Sequence, residues 1–121
     1  MTDASLERAL RESEELELVT RGRRSGDAHA VRLWFAADDG AIWLRGDRAA
    51  DWLRNLERDP SCTIRIGELE LRAAREPAGE EAAALRRVVE LWRAKYGAEW
   101  VGDWYVERGR VPVRLRLVPA T

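Results

Sequence analysis

Gly22-Arg23-Arg24-Ser25-Gly26 is the part of this 121-residue chain most suited to chemistry. Two glycines bracket two guanidinium groups and a hydroxyl, between stretches that read as strands. Backbone amides, guanidinium groups and a serine hydroxyl together suit a phosphate or a carboxylate. The segment is not a Walker loop, because the lysine and the following helix are missing. A polar hairpin turn has the same local composition, so both readings stand at this point. His29 is the one histidine, which argues against a dedicated zinc site; no metal ligands are expected. Cys62 is the one cysteine. It rules out an internal disulfide framework, fits a reducing compartment and reads as structural.

Tryptophan and arginine are the compositional anomaly. The chain has six tryptophans, and arginine outnumbers lysine 20 to 1. Both residue types wall ligand sites and both favour protein interfaces. Trp34 and Trp43, on neighbouring strands, are expected to be cross-strand core or interface residues, and Trp92 belongs to an apolar helical stripe. Trp52 reads equally as packing or as a cofactor wall. Trp100, Trp104 and Tyr105 sit in a stretch too apolar for a plain linker. The formal net charge is -1, and residues 21–58 carry eight bases and six acids. That weak excess counts against a nucleic-acid binder. No apolar run is long enough to span a bilayer. Charged residues interrupt the first twelve positions, so no signal peptide is read there, and a cytoplasmic location is expected.

The elements that must position these residues follow from periodicity. Ser5 to Glu15 reads as a helix, with Leu6 and Leu10 on one face. Strands are predicted at Leu16–Thr20, Val31–Phe35, Ala41–Arg45, Thr63–Ile66, Leu69–Arg75 and Arg110–Val118. Asp38-Asp39-Gly40 is a hairpin turn. Asp47 is the expected cap of a helix running to Arg58, which Asp59-Pro60 ends. Glu80 to Tyr96 is the longest helix, with Leu85, Val88, Val89 and Trp92 inward and Gly97 as its C-cap. Pro112 suggests that the last strand is an edge or starts irregularly. Six or so short strands with inserted helices make an α+β chain. A small, mostly antiparallel split barrel closes its edges most economically. One domain over residues 1–121 is expected: an N-terminal helix over 1–14, then the barrel and its packed helices over 15–118.

Thr20 to Gly26, followed by His29 to Trp34, resembles the opening signature of the deazaflavin (F420)-dependent nitroreductase-like family. That family belongs to the FMN-binding split-barrel superfamily. The hairpin ending in Trp43-Leu44-Arg45-Gly46 is similar to its next strand. Asp51 to Pro60 resembles its tryptophan, asparagine-leucine and asparagine-proline pattern, and Arg93 to Gly97 resembles a helix end of related domains. Similarity in order covers roughly residues 15 to 118, and the chain reads as a divergent member. The resemblance implies a split β-barrel, often a homodimer, that holds F420 or alternatively FMN. It places phosphate-and-tail binding on Arg24 and Ser25. His29 stands near a position where an arginine is more usual. The wall beside the cofactor ring falls on the backbone around Leu44, Arg45, Gly46 and Asp47, and on Trp52. Asp47 and Asp51 put carboxylates near the path of an anionic cofactor tail, where the family favours small residues and lysine. Tyr105 is the candidate catalytic residue, donating a proton to the acceptor or orienting it.

Flavin chemistry asks little of protein side chains, because the cofactor carries the hydride while the protein positions it. The absence of an acid–base cluster therefore does not oppose a redox function. The first expectation is an oxidoreductase passing a hydride from reduced cofactor to a small acceptor such as a quinone or a nitro compound. The alternative is a non-catalytic cofactor-binding or homodimeric module on the same fold.

Overall fold

The computed structural model describes residues 3–97 and 110–118; Trp100, Trp104 and Tyr105 lie outside the described residues. Helix α1 spans Asp3–Glu12, starting before and ending before the expected Ser5 to Glu15. In β1 (Glu15–Arg21) alternation sends Leu16, Leu18 and Thr20 inward. β1 pairs antiparallel with β2 (Ala28–Trp34) from Glu15↔Trp34 to Arg21↔Ala28.

The strand predicted to run through Phe35 breaks there. Phe35 is fully buried, and the chain resumes as β3 (Ala36–Asp38). Asp39 and Gly40, both at positive φ, turn it into β4 (Ala41–Asp47). This is the backbone that a two-residue hairpin of right-handed twist demands. β5 (Ser61–Ile66), β6 (Leu69–Glu76) and β7 (Arg110–Leu117) complete one antiparallel sheet in the order β2-β1-β5-β6-β7-β4-β3. The break at Phe35 thus makes seven strands from the expected six or so. The two outer strands are consecutive in the chain, so the sheet curls on itself as a split β-barrel with three inserted helices.

Inside the curl lie Leu16, Leu18, Ile42, Leu44, Ile64, Ile66, Val113 and Leu115. Helix α2 (Asp51–Arg58) adds Trp52, Leu53 and Leu56 to the same core. Helix α3 (Glu81–Tyr96) covers the other face of β4, where Trp43 packs with Ala84, Val88, Val89 and Trp92. β4 is therefore buried on both sides, with Ile42 and Leu44 facing one core and Trp43 the other. Trp34 and Trp43 join one apolar cluster without facing each other across strands. Trp34 lies opposite Glu15, and Trp43 opposite Ala36 and Arg114. Both meet α3 instead: Trp34 stacks on Tyr96 at 4.2 Å between ring centroids.

Two further expectations are corrected. Asp47 does not cap α2; the helix starts after Ala50, which makes no side-chain cap bond. The Asp47 carboxylate accepts the Arg110 guanidinium at 2.8 Å. Pro112 does not mark an edge strand, because β7 runs between β6 and β4. β6 reaches only Glu76, opposite Arg114, so Pro112 faces β4 alone at Arg45. The missing N–H is tolerated where the ladder on one side has already ended.

The C-terminal turn of α3 fastens the break at Phe35. The Tyr96 hydroxyl accepts the Phe35 N–H at 3.1 Å and lies 2.7 Å from the Glu14 carbonyl oxygen. The Lys95 ammonium donates to the Phe35 carbonyl at 2.9 Å. Burial pushes the Lys95 ammonium down from 10.5 to about 8, with Glu14 opposing. Burial, and then the Asp59 charge, push the Cys62 thiol up from 9.0 to about 12. Between about pH 8 and 9 the unfolded chain keeps a Lys95 proton that the folded chain sheds, so stability should rise with pH. Above pH 9.0 the unfolded chain loses a Cys62 proton that the folded chain keeps, which opposes the rise. Denaturant midpoints across pH 7.5 to 9 should therefore climb for the native protein and stay flat for Lys95→Met. Equal slopes for the two would contradict this reading.

Candidate functional site

Thr20 is the last inward residue of β1, and Asn55 projects from the core-facing side of α2. They are the two buried polar side chains among the described residues, 2% and 1% exposed. A buried amide must be bonded, and this one is. Asn55 Nδ2 donates to Thr20 Oγ1 at 3.1 Å. Asn55 Oδ1 accepts both the Arg23 backbone N–H at 3.2 Å and Arg23 Nη1 at 2.9 Å. Arg23 Nη2 continues to Asp51 Oδ1 at 3.2 Å. The loop after β1 is thereby fixed to α2, and Arg23 is committed to structure.

Arg24 is not tied in this way. Its side chain is exposed, with no hydrogen-bond or ion-pair partner among the described residues. Ser25 Oγ accepts the Asp27 N–H at 3.1 Å, which leaves its hydroxyl proton to donate. His29 is exposed on β2, opposite Thr20. The loop closes through Gly22 N–H to the Asp27 carbonyl at 2.7 Å and Gly26 N–H to the Gly22 carbonyl at 2.8 Å. A cavity of about 200 Å³ results, lined by Gly22 to Ser25, His29, Asp51 and Asn55.

Gly22 lets the His29 ring and the Ser25 hydroxyl close onto the backbone. A Cβ there would sit 2.8 Å from both His29 Nε2 and Ser25 Oγ. Arg24, Ser25 and His29 line the cavity beside this contact, and a guanidinium, a hydroxyl and an imidazole are groups that suit a phosphate. The carboxylates that seemed hostile to an anion are engaged: Asp51 by Arg23 and Asp47 by Arg110.

Arg24, Ser25 and His29 are therefore brought together, whereas the other predicted site residues stand apart from them. The Leu44 side chain is fully buried in the core, so only its backbone could meet a ligand. β3 extends only to Trp43, so Leu44 to Asp47 pair with β7 alone among the described strands. Arg45 is half-buried on that stretch. Gly46 lies against the Trp52 ring, where a Cβ would come within 2.7 Å of Cζ2 and 2.8 Å of Cη2. Trp52 is only 8% exposed and packs α2 onto β4, not into open space. Gly46→Ala should therefore destabilise the fold by about 1–3 kcal/mol through overpacking. A fall in Tm without any change in the Arg24 loop would show it. Tyr105 lies outside the described residues.

Asn55 escaped sequence reasoning, although a signal existed. It sits three residues after Trp52, within the apolar stripe of Trp52, Leu53 and Leu56. A polar residue at a core position of a helix calls for a buried partner.

The family described as F420H(2)-dependent quinone reductase matches residues 1–116. The chain belongs to this family. No curated protein matches it. Among solved structures, HutZ, the heme storage protein from Vibrio cholerae, is similar with a TM-score of 0.79 and 15% identity. That match covers 98% of this chain and 91% of HutZ. A conserved hypothetical protein from Mycobacterium tuberculosis is similar with a TM-score of 0.75 and 24% identity, covering 100% of this chain and 91% of that one. A protein described as F420 reductase gives 0.71 and 19%, covering 93% of each chain. At these identities the likenesses show the split-barrel fold. Membership of the family gives this chain, at family level, the character of an oxidoreductase that binds a flavin-type cofactor.

Proposed function

We propose that this family member is an oxidoreductase using the deazaflavin F420, with FMN as the alternative cofactor, to reduce a small acceptor such as a quinone. The observation that carries the proposal is the convergence of Arg24, Ser25 and His29 on one small cavity beside the Gly22 loop. Arg24 would pair with the phosphate charge, Ser25 would donate its hydroxyl proton to a phosphate oxygen, and His29 would close the open side. The backbone of Leu44 to Asp47 would border the ring, with Trp52 behind Gly46 holding that strand in place. When bound, the reduced cofactor supplies a hydride to the acceptor. Tyr105 is our candidate for delivering the accompanying proton. F420 is preferred over FMN because the matching family is described by that cofactor.

The test is the absorbance of freshly purified protein, mass spectrometry of any released ligand, and oxidation of reduced F420 with menadione as acceptor. Acceptor-dependent oxidation supports the proposal. A released FMN would replace the cofactor named here. Binding without turnover would leave a cofactor-binding module and sink the enzyme reading.

A further inference from the structure

A second cavity, of about 750 Å³, lies at the far end of β4 from the Asp47–Asp51 turn. β4 has seven residues, so the two ends are roughly 20 Å apart. The cavity runs between α1 and α3 over the β3–β4 hairpin, walled by Leu6, Leu10, Ile42, Leu91, Ala94 and Leu117. Lys95, the single lysine, also lines it.

The Lys95 ammonium is half-buried and has weak compensation. It lies 2.9 Å from the Phe35 carbonyl oxygen, 3.4 Å from the Leu10 carbonyl oxygen and 3.4 Å above the Phe35 ring centroid. Every ion pair among the described residues uses an arginine; none reaches Lys95. Carbonyl dipoles and a ring face neutralise a buried cation less well than a carboxylate does. The long Leu10 contact is the one that an incoming anion would replace. Burial lowers the Lys95 proton affinity although the Glu14 charge opposes this, as expected of a partly desolvated amine that no carboxylate touches.

The rim limits what can enter. Asp38 is held by Arg87 at 2.8 Å, while Glu7 and Asp39 are exposed beside Arg11. Acids at the mouth repel a polyanion, and the apolar walls favour a chain or ring. We infer that this cavity binds an amphipathic monocarboxylate of fatty-acid type, its head on Lys95 and its tail along Leu6, Leu10 and Leu91. The inference stands independently of the phosphate cradle.

Decanoate is the probe, with 1-decanol and decyltrimethylammonium as tail-matched controls. Calorimetry should show decanoate binding at least tenfold more tightly than either control. The Lys95 ammonium, followed by NMR through a pH titration, should hold its proton to higher pH when decanoate is bound. Lys95→Met should bring decanoate down to the affinity of 1-decanol. Equal affinity of decanoate and 1-decanol for the native protein would overturn the inference, and needs no variant to be read. So would undiminished decanoate affinity in Lys95→Met. Saturating inorganic phosphate, which probes the cradle, should leave decanoate affinity unchanged. Competition between the two would place decanoate in the cradle and also overturn the inference.

Discussion

Replacing Asn55 by leucine should lower stability by about 3 kcal/mol, or about 10 °C in Tm. The shapes are close, so the loss is electrostatic rather than steric. Leucine would leave Thr20 Oγ1 buried without its donor and remove the acceptor of two Arg23 N–H groups. Each buried polar group left unbonded costs about 1–3 kcal/mol. Arg23 would also lose what holds it beside Asp51, so the loop from Gly22 to Gly26 should loosen even where the barrel survives. Hydrogen exchange of the Gly22 and Gly26 amides reads the loop, and thermal unfolding reads the barrel. If Asn55→Leu melts within a degree of the native protein, the buried network is not what joins α2 to β1.

Arg24→Ala should do the reverse. The side chain is exposed and has no partner among the described residues, so Tm should stay within about 1–2 °C. Affinity for a phosphate-bearing cofactor should fall about 10- to 100-fold, because a charge-assisted hydrogen bond contributes about 1.5–3 kcal/mol. The residual binding should also depend less on salt, since one screened charge has gone. Arg23→Ala supplies the contrast. It removes the side-chain bonds to Asn55 and Asp51 and should destabilise the protein first. Adjacent arginines with opposite phenotypes would separate a cradle from a generally basic surface.

The architecture was legible where a repeating pattern met a turn signal. The alternation in β1, the Asp39-Gly40 hairpin and the Gly97 cap all have local causes. The break at Phe35 had none. It arises because the chain must pass from one outer strand of the sheet to the other, and tertiary closure alone demands that. Pro112 misled for a related reason, since whether a strand end is paired depends on where β6 stops. In the site, Arg24, Ser25 and His29 could be named from composition and from the family resemblance. Dividing the labour between Arg23 and Arg24 could not, because the two differ only in which one faces Asn55, 32 residues away. Trp52 was equally ambiguous until its ring was found against Gly46. The tryptophan excess is thereby partly explained: Trp34, Trp43, Trp52 and Trp92 are all packing residues of the barrel and α3.

The central claim is that the cavity lined by Arg24, Ser25 and His29 receives the phosphate of a flavin-type cofactor. Equilibrium titration of the native protein and Gly22→Ala with F420 and with FMN tests it most directly. A Cβ at Gly22 meets only the ends of His29 and Ser25, which can shift, so the fold should tolerate it while both groups are displaced from their places on the cavity wall. The account predicts that at least one of the two cofactors binds the native protein, competes with inorganic phosphate, and binds Gly22→Ala at least tenfold more weakly at unchanged Tm. Binding that is indifferent to both phosphate and Gly22→Ala, or no binding of either cofactor to the native protein, would contradict it.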